Sequence, residues 1–269
     1  MTPPLPRPLG IRASSDPNTP PSSGTSLVRA NDPPPRKPPL MRKIEVLYLE
    51  RPGALEFGEF SRIVPAMPAF EEAFCSFARG TLLHTDRGQV AIEDILPGDQ
   101  VRTADDGLQT LLWRGATIIS AHATRQDPIM GKMTRIAADA LGIARPMPDL
   151  VLGPRARILH RGPGVRTLTG ADAAAIPARD FCDGVQVIEL TPPTAVPVYQ
   201  LGFAGHHRVL ANGVEVESFH PGPAHQLGLR GDLLALFLSC FPHAKTLDDF
   251  GAPAIPRLRL SDLDLFEVA

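Results

Sequence analysis

Apolar and polar positions alternate with a period near two from residue 81 to residue 114. That period belongs to strands with one buried face, not to helices. Thr81–His84 predicts a strand, Asp86-Arg87-Gly88 a turn, and Gln89–Ile92 the return strand. Pro97-Gly98 supplies the next turn, because proline presets φ for the first central position of a type II turn and glycine tolerates the positive φ that follows. Gln100–Thr103, the hairpin turn Asp105-Asp106-Gly107 and Leu108–Arg114 continue the series. Short strands broken by regular turn signals predict an all-β fold.

Elsewhere the pattern is less even. Residues 1–40 are rich in proline, with Pro3-Pro4, Pro20-Pro21 and Pro33-Pro34-Pro35, and poor in large apolar side chains. Too little apolar surface is present to offset the entropy of ordering, which predicts a disordered tail. Such a tail also suits a proline-binding domain as a PxxP-type ligand. Met41 opens the first apolar-patterned segment and is a candidate alternative start of translation. Lys43–Glu50 alternates as a strand, residues 51–73 are mixed and punctuated by Pro65 and Pro68, and residues 116–133 read as irregular.

Thr134–Leu141 is a strand or a short helical turn ended by Gly142. Asp149–Leu152 and Ala156–His160 flank Gly153-Pro154 and read as a strand and its continuation, and Ala171–Ala175 as a short helix. Gly184–Leu190 and Val196–Phe203 read as strands. Val209–Leu210, Asn212-Gly213 and Val214–Glu217 form a hairpin, since Asn-Gly fits the positive φ angles of a type I′ turn. Residues 231–241 predict a helix, and an irregular tail with Pro253 and Pro256 runs to Asp264-Leu265-Phe266. The sequence contains no convincing internal repeat.

Composition narrows the function classes. The 269 residues suffice for a substantial core in one or two domains. A net charge of −2 gives no electrostatic footprint for nucleic acid or an anionic membrane, and 6% aromatic content argues against a stacking platform for single strands. Cys75, Cys182 and Cys240 are widely spaced, as free thiols in a reducing compartment would be. No secretory signal precedes the apolar segments, and the longest apolar run, Leu233–Phe241, falls short of the roughly 18 residues of a membrane span. The expected location is cytoplasmic, the expected partner another protein or the chain itself, with no nucleic acid, no membrane span, no cofactor and no metal.

Candidate nucleophiles, Cys75 and Ser76, stand directly before the hairpins. The run Phe77-Ala78-Arg79-Gly80-Thr81, then Gly88, Glu93-Asp94, Pro97-Gly98-Asp99 and Trp113-Arg114-Gly115, resembles the opening of a Hint (hedgehog/intein) domain of the bacterial stand-alone kind. Thr134–Gly142 before Pro148–Pro154, Tyr199–His207, and Leu210–Phe219 fit the same family in the same order. The resemblance covers roughly residues 74–221. It implies a horseshoe-shaped all-β module there, preceded by the tail (1–40) and an N-terminal segment (41–73), and followed by a C-terminal helix and tail (222–269).

The implied chemistry is self-processing. A Cys or Ser at the module's first position attacks the preceding carbonyl, turning an amide into a (thio)ester that a later nucleophile resolves. Such a step needs a poised nucleophile, donors for the oxyanion, and a histidine that protonates the leaving nitrogen. Counting back from Gly80-Thr81 places the nucleophile on Ser76, with Cys75 one residue early. Serine is the weaker nucleophile at its free pKa. A second departure lies in the block that usually reads Ser/Thr-Pro-x-His. Here it reads Gly153-Pro154-Arg155-Ala156, so Gly153 replaces the hydroxyl and Ala156 the histidine. His160 lies four residues on, too far along an extended chain to substitute, and Arg155 or Arg157 can donate a hydrogen bond but not readily a proton.

The resemblance assigns His207 the later histidine position; the alternative is an exposed His206-His207 pair on a turn. Adjacent strand residues face opposite ways, which argues against a metal site there. Asn212 is better explained by its turn than as a splicing asparagine. Cys182 and Cys240 read as small buried hydrophobes, and Cys75 as that or a displaced nucleophile. Glu93-Asp94 and Asp105-Asp106 read as solvated or capping, Trp113 as core. The expected function is a Hint-type acyl shift near residues 74–76, degenerate here, with no multiple turnover. The alternative is a non-catalytic binding or scaffold module using the proline-rich tail and the apolar helix. A conventional hydrolase is weaker, because no Gly-x-Ser-x-Gly elbow, metal-binding histidine motif or phosphate loop is present.

Overall fold

The computed structural model describes residues 39–50 and 56–263. The expected disorder of residues 1–38 and the end of the tail at Asp264-Leu265-Phe266 lie outside the described residues. In chain order the elements are β1 (Met41–Leu49), β2 (Phe57–Pro65), α1 (Pro68–Phe74), β3 (Phe77–Ala78), β4 (Leu82–Thr85), β5 (Gly88–Ala91), β6 (Gln100–Arg102), β7 (Leu108–Thr110) and β8 (Trp113–Ile119). There follow β9 (Met133–Ile136), β10 (Leu150–Leu152), β11 (Arg157–His160), α2 (Pro163–Thr169), β12 (Ala174–Pro177), β13 (Val187–Leu190), β14 (Val196–Gly202), β15 (Arg208–Ala211), β16 (Val214–Glu217), α3 (Ala224–Leu227) and α4 (Gly231–Leu238). The fold is all-β, as the alternating pattern predicts.

Two antiparallel sheets carry the chain. The first runs β13-β9-β10-β3-β14-β8-β1-β2, and the second runs β12-β11-β16-β15-β4-β6-β7 with β5 paired to β4. The core between them takes Phe77, Leu152 and Leu201 from the first sheet and Leu83, Val101, Val209 and Val216 from the second. A separate core lies under the other face of the first sheet. Ile44 and Val46 of β1, Phe70 and Phe74 of α1, Trp113 of β8, and Phe237 and Phe241 of the C-terminal region meet there. Trp113 is its centre: its ring lies 5.3 Å from Phe74 and 4.9 Å from Phe241, and its Nε1 donates to the Cys240 carbonyl at 2.8 Å. Trp113 is therefore core, and its polar tip is satisfied.

Several sequence readings need correction. The mixed stretch 51–73, to which the sequence assigns no element, contains β2 and all but the last residue of α1. Pro68 starts α1, where a missing N–H costs nothing. The run 108–114 is not one strand. Leu111 N–H donates to Asp99 in the second sheet and Leu112 N–H to Gly202 in the first, so the chain changes sheets between β7 and β8. β8 then extends to Ile119, into the region read as irregular. The helix expected at 171–175 lies earlier, as α2. It opens with Pro163 and stops at Gly170, whose φ of 73° is the left-handed helix stop. Residues 174–177 are instead the strand β12, with all four positions buried. Cys240 is buried as expected, but Cys182 is exposed, just past the 3-10 turn Ala178–Phe181.

Asn212 and Gly213 have φ angles of 48° and 86°, as the predicted type I′ hairpin requires. The Asn212 side chain does more than turn the chain. Its Oδ1 accepts from Leu82 N–H at 2.7 Å, and its Nδ2 donates to the carbonyls of Pro148 and Asp149. It ties β4 to the segment that enters β10.

Phe74→Ala removes a ring buried between Trp113 and Phe241. The expected loss is about 3–5 kcal/mol, or on the order of 10 °C in Tm for a chain of this size. Calorimetry checks this; a Tm within two or three degrees of wild type would mean that α1 is not part of the core.

Candidate active site

The site forms where three distant stretches meet. α1 ends at Phe74, Cys75 is its C-cap, and β3 begins at Phe77. Ser76 lies between them. Its N–H donates to the Tyr199 carbonyl of β14 at 3.0 Å, and its own carbonyl accepts from Gly153 N–H at 2.7 Å. The Cys75 carbonyl accepts from Arg155 N–H at 3.0 Å. The peptide bond between Cys75 and Ser76 is thus held on both sides by backbone.

Gly153 is required by that fit. A Cβ built there would stand 2.5 Å from the Cys75 oxygen and 2.9 Å from its carbon. Backbone cannot give way as a flexible side-chain end can. The residue that reads as a lost hydroxyl therefore lets two main chains touch. Ala156 has likewise joined the core between the sheets, with 2% exposure. His160 packs on Phe181 at 5.6 Å, and no hydrogen bond joins it to Ser76.

Ser76 is 2% exposed, and its Oγ receives the Gln200 Nε2–H at 2.7 Å. The orientation of that amide is fixed, because Gln200 Oε1 accepts from Leu201 N–H at 2.9 Å. Gln200 therefore presents a donor to the hydroxyl and cannot take its proton. Cys75 sits in the apolar cluster around Phe74, and burial pushes its thiol up to about 12. Little thiolate exists there near neutrality.

Behind this peptide bond lies a buried ion cluster. Glu71, 2% exposed, accepts from Arg42 at 3.0 Å and from Arg155 at 2.7 Å, and Arg155 also reaches Asp127 at 3.2 Å. The expected donor role of Arg155 thus falls to its backbone N–H, while its guanidinium is committed to carboxylates. Arg157 joins Glu72 and Glu217.

A family model described as a Hint domain matches residues 75–223, more than half of the 269-residue chain. The chain belongs to the Hint-domain family. Its match begins at Cys75, the point where α1 gives way to the three-way contact. Among solved structures, the bacterial intein-like domain from Clostridium thermocellum is 13% identical, with 54% of this chain and 99% of that chain covered and a TM-score of 0.37. A splice-inactive variant of the AceL NrdHF class 3 split intein is 14% identical, covering 53% and 97% of the two chains, with a TM-score of 0.35. No curated protein matches.

Elsewhere in this Hint domain, His207 stands apart from Ser76. Its Nδ1 pairs with Asp105 at 3.1 Å, its ring edge meets Phe203, and among the described residues no hydrogen bond joins it to Ser76. His206 and His207 are both buried, so the exposed-pair alternative is wrong. Both precede β15 and have different partners: His206 Nε2 meets Glu217 at 2.9 Å. Asp105 accepts from Arg208 N–H as well, which makes it an anchor for β15. Among the described residues no group of three or more His, Cys, Asp or Glu could hold a metal ion. No described helix is long and apolar enough to cross a membrane. An open cleft of about 840 Å³ is lined by β1, β2 and β8 residues such as Lys43, Glu45, Ser61 and Ile118, and neither Ser76 nor His207 reaches it.

Sequence reasoning missed Gln200, Glu71 and the Arg155 amide. Gln200 is the one polar side chain pointing inward from an otherwise apolar strand, and that was a usable signal. The other two depend on long-range packing.

Two predictions follow from this geometry. Gly153→Ala forces main chains apart and is expected to cost about 1–3 kcal/mol, read as a lowered urea midpoint; an unchanged midpoint would contradict the contact. The second concerns acid. Burial opposes the Glu217 carboxylate, but Arg257, the His206 hydrogen bond and Arg157 outweigh it and hold it at about 2, below its ordinary 4.5. Burial pushes His243 down from 6.5 to about 4. In each case the folded chain binds the proton less readily than the unfolded chain. Stability is therefore full above about pH 6.5, falls toward pH 4 through His243, and falls again between pH 4.5 and 2 through Glu217. In Glu217→Gln, the fall in urea midpoint below pH 4.5 should shrink; an identical acid limb would refute the assignment.

Proposed function

We propose that this Hint domain carries out a slow, single-turnover N–O acyl shift at the bond between Cys75 and Ser76. Ser76 Oγ attacks the Cys75 carbonyl carbon, the C–N bond breaks, and the hydroxyl proton ends on the Ser76 nitrogen. The product is an ester isomeric with the starting amide. The observation that carries this reading is the Arg155 N–H held 3.0 Å from the Cys75 oxygen, where the oxyanion develops. Intramolecular attack also suits a hydroxyl with 2% exposure, which a separate substrate cannot reach.

The same surroundings restrain the step. Gln200 donates to the hydroxyl and offers no base, and Ser76 N–H is tied to Tyr199 with no acid beside it. General acid–base help is typically worth ~10²–10⁴-fold, so its absence leaves the chain uncleaved at rest. His207 is the candidate proton carrier. Its Nδ1 is held by Asp105, so it serves only by leaving that pairing. Cys75 is the alternative nucleophile, and its buried thiol disfavours it.

Intact-mass measurement with and without hydroxylamine tests this reading. The expected result is full-length protein alone in buffer, and slow appearance, in the denatured sample, of the mass of a chain beginning at Ser76 when hydroxylamine traps the ester. A fragment beginning at Gly213 reports Asn–Gly cleavage and does not count. Ser76→Ala should abolish the Ser76 fragment and Cys75→Ala should not. Gln200→Glu places a carboxylate beside Oγ and should raise the rate by about 10–100-fold. No Ser76 fragment in either wild type or Gln200→Glu would refute the proposal. It would favour a non-catalytic scaffold, a reading supported by the structural roles that Gly153 and Ala156 have taken.

A further inference from the structure

The chain before Ser76 is built into the module as deeply as the chain after it. β1 pairs with β8 from Ile44↔Thr117 to Tyr48↔Trp113 and with β2 along its full length. Leu49 N–H donates to Leu112, and Thr117 Oγ1 donates to the Lys43 carbonyl. Phe70, Ala73 and Phe74 of α1 are fully buried, with Phe70 edge-on to Phe237 at 5.5 Å and Phe74 against Trp113. Polar contacts cross the same boundary: Glu71 pairs with Arg155 and Glu72 with Arg157, and the Arg42 guanidinium donates to the Gln126 amide oxygen. None of these contacts runs through the bond between Cys75 and Ser76.

We infer that the surface formed by β8, the C-terminal aromatic cluster, Arg155 and Arg157 is a binding site for the chain's own β1, β2 and α1. Cleavage between Cys75 and Ser76 therefore gives a two-chain complex and releases no peptide. This rests on the proposed acyl shift only for how the cut arises; the retention of the segment stands on packing alone. Without the segment, β8 becomes an edge strand and Trp113 is uncovered, so separation exposes a large apolar surface. Hydrolysis of the ester adds water across the Cys75 acyl–oxygen bond, giving a Cys75 carboxylate and a free Ser76 hydroxyl. The new carboxylate stays on the Arg155 N–H that held the carbonyl.

A cut that does not depend on self-processing tests the inference. Arg79 and Gly80 are both exposed, and a site for a specific protease inserted between them severs β1, β2, α1 and β3 from the rest of the full chain. Co-expressing residues 1–75 and 76–269 as two chains serves if the insertion disturbs folding, and leaves β3 with the larger piece. After complete cutting, gel filtration in native buffer should give one peak at the uncut elution volume holding both pieces in equal amounts, which separate only in denaturant. An N-terminal piece eluting alone in native buffer would overturn the inference whether or not the chain cleaves itself. Retention after protease cutting, with no fragment under hydroxylamine, would sink the acyl shift and leave the binding surface standing.

Discussion

The contact on which the structure depends is main chain against main chain. Residues 153–155 press on residues 75–76 so closely that only glycine fits at 153, and two N–H donors, from Gly153 and Arg155, lock the carbonyls in place. Tyr199 and Gln200 complete the grip from the other side. Buried backbone groups must find partners, and here β3 and its lead-in find theirs on both neighbouring strands. The same bonds place a hydroxyl, a carbonyl and an N–H donor together. Fold and candidate chemistry share one set of hydrogen bonds.

That sharing explains the restraint as well as the readiness. A site in which the hydroxyl receives a bond from an amide nitrogen, and the leaving nitrogen gives its hydrogen to a strand, is positioned but not activated. The ion cluster behind it works in the same direction. Glu71 is bound by two arginines, so the loop carrying the Arg155 N–H cannot drift without unpairing a buried carboxylate. The cluster fixes the donor in space and supplies no proton.

The sequence makes the strands legible where alternation is strict and turns are well marked. β4 to β7 and the hairpin of β15 and β16 follow from period two and from Pro-Gly and Asn-Gly chemistry. It fails where the chain changes sheets within a run of apolar residues, as at Leu111-Leu112, because both sheets want the same alternation. It fails as well at β2, which lines an open cleft, and at α1, whose seven residues are too few for a helical period to show. At the site, counting from Gly80-Thr81 finds Ser76, but no spacing finds Gln200 or Glu71. Gly153 is the instructive case. A substitution that reads as loss of a catalytic hydroxyl is, in three dimensions, the condition for the close approach that builds the site.

Amide hydrogen exchange at Gly153 and Arg155, followed by NMR on the full chain, tests this central constraint most directly. If the two N–H groups lock the carbonyls of Ser76 and Cys75, both should exchange among the slowest amides, at rates set by global unfolding. Exchange at the rate of an exposed loop would contradict the account, because the bond between Cys75 and Ser76 would then be held by neither donor.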